Sequence, residues 1–432
     1  RILAPQPNMK NFLDKIFLRS NNLDYFSNQI KNLTQNTPAN KIFDAINSFS
    51  TESEIRYVGG CIRKIINKEK VDDIDLATNL EPKEVCEVLN KNNIDYFETG
   101  IEHGTITAII DKHKFEITSL RSDVSTDGRH AKVKFSKNWS EDASRRDFTF
   151  NSIYSDKYGN LFDPYNGKKD LEDGSVSFIG EADQRIKEDY LRILRYLRFF
   201  LSYSKKPHDL DILRKLKMNI GGISQLSKER LLHELRKITK LNILEKLSQD
   251  RLSKELVLMI FPELKKLNIF SKLSEEKKKI LEINDFIFLL SLMIIDETDN
   301  TDYFIYKFNM SKKDEKRIRN INNFYMDKIT SKTFLENNLN KLFYYNGKDA
   351  LLDILNFKVI KSKKLDEKLL KLIEKYQKKL TPNMPISAGE LMNKYQIPEG
   401  KQLGLKIKMI EEKWVENNFT ISSQQIESII KN

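Results

Sequence analysis

The sequence predicts an α+β protein, with a small α/β part first and a mostly helical remainder after it. Two observations carry that reading. Runs of strand-like residues (Ile55–Val58, Ile94–Phe97, Gly104–Ile110 and Lys114–Thr118) all precede Gly180. Beyond Gly180 the β signals almost vanish. Apolar residues then recur at helical spacing, as in Ile186–Phe200, where Leu191, Leu194 and Leu197 lie along one stripe.

Composition narrows the class. The chain has 432 residues, enough for two to four domains with cores of their own. Its formal charge is +12, which points to a polyanionic partner such as nucleic acid. Lys, Asn and Ile are abundant throughout, so part of that excess is compositional background. Two cysteines, Cys61 and Cys86, and five histidines give neither a disulfide scaffold nor a zinc site. A reducing, cytoplasmic setting fits. The longest apolar run, Phe286–Ile295, is about half the roughly 20 residues a membrane span needs, and reads as a buried helix. Residues 1–8 precede Met9 and are expected to be a remnant of expression, and no signal peptide is visible.

Taken in order, Met9–Ser50 reads as helical at both ends around an Asn-rich middle. Residues 55–76 follow and hold the most specific pattern. A short strand, Ile55–Val58, runs into Gly59-Gly60 and then a helix from Cys61 to Asn67 whose first turn carries Arg63. Strand, glycine pair and helix start together make an anion site, because free N–H groups and the helix dipole point the same way. Asp73-Ile74-Asp75 comes next. In a strand, alternate residues share a face, so the two carboxylates point together and call for a cation between them. Mg2+ is the economical one, since it takes carboxylates together with substrate phosphates. A phosphate cradle beside a metal site is equipment for nucleotidyl transfer.

Pro82 then opens a helix running to about Asn90. Gly104–Ile110 and Lys114–Thr118 read as a hairpin. Glu116 is the one acid of the second strand, and it becomes a third carboxylate of the site if that strand lies beside Asp73 and Asp75; otherwise it is an exposed strand Glu. The polar stretch Asp123–His130, with its Asp127-Gly128 turn signal, reads as a mobile loop carrying Arg129. In Ser144-Arg145-Arg146-Asp147, with Asn151 four residues on, the residue types suit phosphate and sugar-hydroxyl contacts. Asp163–Gly167 is a turn that closes the α/β part.

Within the helix read at Ile186–Phe200, Asp189 and Arg192 are three apart and share a face. A carboxylate beside a guanidinium matches the amino-donor and ring-acceptor edge of both cytosine and adenine. Uracil and guanine present the reverse pattern. A plain i,i+3 surface ion pair is the simpler reading of the same residues. Ser227 caps a further helix, Leu226–Ile238, and helices continue to about Lys379. The last unit, Ile386–Asn417, ends in Lys413-Trp414; its basic helices read most simply as a solvated face, and they also suit backbone contacts to RNA. An adjacent His208-Asp209 occurs in metal phosphohydrolases, but only His233 follows it, too few ligands for that chemistry.

The order Gly-Gly-x-x-Arg, Asp-x-Asp, strand Glu, Asp-Gly-Arg, Arg-Arg-Asp, Glu-Asp-x-x-Arg, Ser-x-Glu-Arg closely resembles the class II tRNA nucleotidyltransferases, the CCA-adding enzymes, over about residues 33–240. Bacterial poly(A) polymerases share most of it. The resemblance implies a head with a sheet of about five strands, then a helical neck, body and tail; the segments would be 9–168, 169–245, 246–380 and 381–432. It implies that Asp73 and Asp75 hold Mg2+, with Glu116 as third acid, and that Gly59, Gly60 and Arg63 hold the triphosphate. Arg146, Asp147 and Asn151 would serve phosphate and ribose. Asp189 and Arg192, with Arg195 beyond them, would read the base. The loop with Asp127 and Arg129 would help switch from C to A. The implied activity is template-independent addition of CMP, CMP and AMP to the tRNA 3′ end from CTP and ATP. Poly(A) synthesis, or CC-only or A-only addition, is the nearest alternative; a catalytically silent RNA-binding protein is the alternative of another class. One position departs from the family. The residue after Arg63 is usually Asp and here is Lys64, which leaves room for a narrowed specificity.

Overall fold

In the computed structural model, which describes residues 25–123, 133–326 and 336–431, the early strands assemble into one mixed sheet. The chain divides into two units, residues 1–226 and 227–432.

In the first unit, helices α1 (25–36) and α2 (Ala39–Asn47) lead into β1 (Ile55–Val58), α3 (Gly60–Ile66), β2 (Ile74–Thr78) and α4 (Pro82–Lys91). α4 starts where proline and a capping box say it should: Pro82 stands at its first turn, and Glu81 and Glu84 each bond the other's backbone. Then come β3 (Asp95–Gly100), β4 (Thr105–Ile110), β5 (His113–Ser119), β6 (Arg121–Asp123) and β7 (Val133–Phe135). α5 (Trp139–Ser144), β8 (Tyr154–Ser155), β9 (Leu161–Phe162) and the helices α6 (Gly167–Asp173), α7 (Ala182–Glu188), α8 (Arg192–Tyr203) and α9 (Leu210–Met218) complete the unit.

The main sheet has the order β3-β4-β5-β2-β1-β8-β9, and β6 and β7 form a separate ribbon. Every neighbouring pair of the main sheet is antiparallel except β2 and β5. The sheet is therefore mixed, as expected, with seven strands rather than about five. The additions β8 and β9 are two residues long and carry no periodicity to read. β4 alternates half-buried and buried residues along its whole length, which is why its β-branched pattern was legible. α3 packs against the sheet through Cys61, Ile62 and Ile65, all buried.

Two local expectations are corrected. Asp73 lies just before β2, not in it. The single helix read at Ile186–Phe200 is two helices, because Asp189 takes an extended backbone (φ −153°, ψ 104°) and ends α7. Its carboxylate then accepts the Leu191 N–H at 3.1 Å, a local bond that competes with helix continuation.

The second unit is helical. Ser227 caps its first helix, Lys228–Ile238, by accepting the Arg230 N–H. The apolar run read as a buried helix is one: every residue of Phe286–Ile294 is buried. Leu339, Phe343, Leu351, Leu355 and Tyr376 centre one core; Leu391, Leu403, Ile410 and Ile426 centre another near the end of the chain. Among the described residues no helix is long and apolar enough to cross a membrane.

Candidate active site

β1 ends at Val58, and Gly59 turns the chain with φ +64° and ψ −112°, a conformation that strains any residue with a side chain. Gly60 opens α3 against β2. A Cβ on Gly60 would stand 3.2 Å from the Asp75 carboxylate, so the missing side chain is what lets backbone and carboxylate approach.

The parallel pairing of β2 with β5 sets Asp75 directly beside Glu116. The conditional sequence reading of Glu116 thus meets its condition. Burial pushes the Asp75 carboxyl above its ordinary value, and neighbouring Glu116 adds to the shift, with Asp73 a smaller contributor; Arg146 opposes it. Carboxylates held together against their repulsion are a place where a cation is favoured. Among the described residues no three His, Cys, Asp or Glu side chains converge closely enough to hold an ion alone. Such a donor set fits an ion that draws its remaining oxygens from a substrate better than an all-protein cage.

A cleft of about 260 Å3 opens over Asp75, lined by Gly59, Thr105, Thr118, Arg121, Arg145 and Arg146. One carboxylate, one glycine turn and three arginines suit an anionic ligand with a metal at its end. Arg146 donates from Nε to Asp142 and to the Tyr154 hydroxyl, each at 3.0 Å, and its Nη1 reaches the Asn151 carbonyl at 3.3 Å. The next residue, Asp147, is buried. Its carboxylate accepts from Arg195 Nε at 2.6 Å, from Asn151 Nδ2 at 2.7 Å and from the Phe148 N–H at 2.9 Å. Burial alone would raise its pKa; the Arg195 guanidinium and these bonds bring it down to about 2.

Arg63 does not line this cleft. Its guanidinium lies 4.7 Å from the centre of the Phe199 ring, and it donates to Tyr203 at 3.3 Å and to the Asn151 side-chain oxygen. Lys64, where the resemblance breaks, pairs with Asp72 at 3.1 Å. Cys61 is buried beneath the glycine turn, and burial pushes its thiol up to about 12, which rules it out as a nucleophile.

Asp189 and Arg192 flank the break between α7 and α8. Arg192 donates from Nη1 to Glu188 at 2.7 Å and to the Arg185 carbonyl at 2.6 Å. Arg185 in turn bonds Glu188 at 2.5 Å and reaches the Arg146 carbonyl at 2.6 Å, which ties this helix end to the arginine pair of the cleft. The sequence reading missed Arg121, Asp142 and Arg185. It took Arg145 with Arg146 as suited to phosphate, and it met Glu188 only as the first letter of the Glu-Asp-x-x-Arg motif, without a role. Asp127 and Arg129 lie outside the described residues.

Residues 55–177 match the family model described as the poly A polymerase head domain. The human mitochondrial CCA tRNA nucleotidyltransferase 1 is 33% identical over 392 residues, covering 88% of this chain and 86% of the relative. The fold is similar to that of a Bacillus stearothermophilus CCA-adding enzyme solved with CTP, with a TM-score of 0.66 and 19% identity over 90% of this chain and 95% of that one. A Thermotoga maritima CCA-adding enzyme complexed with tRNA gives a TM-score of 0.56 at 17% identity, over 90% of this chain and 94% of that one.

Proposed function

The chain belongs to the family of CCA tRNA nucleotidyltransferases, and on that premise we propose that it adds CMP, CMP and AMP to the 3′ end of tRNA, using CTP and ATP without a nucleic-acid template. It is an enzyme, a nucleotidyltransferase. The observation that carries the reading is Asp75 in an arginine-walled cleft, with Glu116 beside it on the neighbouring strand. In the reaction the tRNA 3′-hydroxyl oxygen loses its proton to solvent and forms a bond to the α-phosphorus, the bond from that phosphorus to the bridging oxygen breaks, and pyrophosphate leaves.

The family is typically metal-dependent, and we assign Mg2+ as the metal. Asp73 and Asp75 would hold it, with Glu116 beside them. When bound it supplies charge neutralisation at the leaving pyrophosphate and a lower pKa for the attacking hydroxyl. The protein's own groups bind and orient. The Gly59-Gly60 turn leaves room for phosphate oxygens, and Arg146 offers positive charge to the triphosphate. Asp147 and Asn151, bonded to each other at 2.7 Å, present a fixed polar edge to the ribose. Asp189 and Arg192 would read the amino-donor and ring-acceptor edge shared by cytosine and adenine. Arg63, bonded to Asn151 and set against Phe199, holds Asn151 in place rather than lining the cleft. We further assign residues 9–168, 169–245, 246–380 and 381–432 to head, neck, body and tail, with the tail gripping tRNA. A reducing compartment suits the free Cys61 and Cys86; we take it to be the cytoplasm, although the human relative is named as mitochondrial.

The test is a gel of tRNA transcripts lacking CCA, incubated with Mg2+ and CTP, ATP or both. Two added nucleotides with CTP alone and three with both support CCA addition. Asp73→Ala and Asp75→Ala should abolish extension while leaving the fold intact; undiminished extension would sink the assignment. Because the matching head model is named for poly A polymerases, a long ladder with ATP alone is the second outcome to look for.

A further inference from the structure

Asp142 has no place in the reading above, yet it is the most heavily bonded carboxylate beside the cleft. It sits on α5, is 1% exposed, and accepts four hydrogen bonds, with the second nitrogen of two guanidiniums in ion-pair contact. Oδ1 takes Arg145 Nε at 2.9 Å, Arg145 Nη2 at 2.8 Å and the Arg121 N–H at 3.4 Å. Oδ2 takes Arg146 Nε at 3.0 Å, Arg146 Nη2 at 2.9 Å and the Tyr154 hydroxyl at 2.6 Å. Three of these partners, Arg121, Arg145 and Arg146, line the cleft over Asp75. The fourth, Tyr154, begins β8, which pairs with Val58 at the end of the strand that delivers the glycine turn.

We propose that Asp142 is the positioning residue of the triphosphate site: one buried carboxylate that grips the Nε edges of Arg145 and Arg146 and fixes both guanidiniums toward the cleft. The proposal rests on the reading of that cleft as the place of the nucleotide's phosphates. Two adjacent guanidiniums repel, and in water each samples many rotamers. A single negative charge between them removes the repulsion and the freedom together, and one positive charge of the pair stays uncompensated for an anion. The geometry also explains why the carboxylate is buried: paired with two cations and a hydroxyl, it leaves neither oxygen without a donor. Asparagine in its place would offer one acceptor oxygen and turn an N–H2 toward an arginine, donor against donor.

The experiment compares the parent, Asp142→Asn and Tyr154→Phe in steady-state nucleotide addition, and by titration calorimetry with inorganic tripolyphosphate in Mg2+. For a folded Asp142→Asn, KM for CTP and for ATP should rise together by about tenfold, with kcat within about twofold and the CTP-to-ATP preference unchanged. Tripolyphosphate affinity should fall by the same factor. A role in folding alone would lower the melting temperature and leave these constants in place, and that result overturns the proposal. Should Asp142→Asn fail to fold, Tyr154→Phe decides, since it removes one of the four hydrogen bonds: a smaller rise in both KM values and weaker tripolyphosphate binding support it, and unchanged values refute it. If the parent binds tripolyphosphate but transfers no nucleotide, the proposed activity fails while Asp142 is still judged on binding. If the parent does not bind tripolyphosphate, the Asp142 proposal falls.

Discussion

Replacing Asp147 with Asn should destabilise the protein at neutral pH and progressively less in acid. The Asp147 carboxyl sits at about 2 in the folded chain against an ordinary 3.8. That gap, at about 1.4 kcal/mol for each tenfold change in proton affinity, amounts to roughly 2–3 kcal/mol of stability from the ionised form. Asp147 is 7% exposed, so solvent screening takes little from the figure. The sign follows from the direction. A carboxyl bound as its anion in the folded state contributes fully above 3.8, and the contribution drains away as pH falls from there through about 2. About half of it should remain at pH 3. The assay is urea unfolding of parent and Asp147→Asn at pH 7, 5, 4 and 3, read as the difference between the two proteins at each pH. A constant gap of roughly 2–3 kcal/mol from pH 7 to 5 that narrows toward pH 3 is expected. A gap that stays unchanged down to pH 3, or none at pH 7, would refute the claim that Arg195 holds Asp147 as an anion.

Glu188→Gln should loosen Arg192, which loses a charged partner at 2.7 Å, and raise misincorporation of UTP several-fold with little change in overall CTP turnover; competition between CTP and UTP on one tRNA measures it. Glu116→Gln removes the second-largest cause of the raised Asp75 pKa, so the acidic limb of Mg2+-dependent activity should move to lower pH. An acidic limb that does not move, in profiles from pH 5 to 8, would contradict the coupling.

The parts of the site that lay within a few residues of one another were legible. Gly59-Gly60 and the start of α3 are local geometry, and the alternation of β4 is local burial. The Asp75–Glu116 pairing was legible only as a condition, because a strand's pattern gives its faces and not its neighbours. The break at Asp189 was hidden for a different reason. The leucine stripe of Ile186–Phe200 fits one helix, and the extended backbone at Asp189, with its bond to the Leu191 N–H, interrupts it. Asp142, Arg185 and the part Glu188 plays were hidden by the ordinariness of their spacing. Charges three and four apart are most often a solvated face, and burial alone distinguishes a clasp from a surface pair.

The β4–β5 hairpin turns through Asp111 and Lys112 alone, with φ of 48° and 68°, the left-handed pair that a two-residue turn of this hand requires. That turn works as a counter. His113 faces Ile110 across it, and three residues later Glu116 arrives beside Asp75. Surface turns ordinarily tolerate a gained or lost residue, but here a shift of one step would bring Phe115 or Ile117 to the acid's place and send Glu116 to the core face. The letters of the turn are free to drift at some cost in strain, whereas its length is bound to the chemistry. In the descent of this chain, insertions at an exposed hairpin tip should be purged as strictly as substitutions of the carboxylate it measures out.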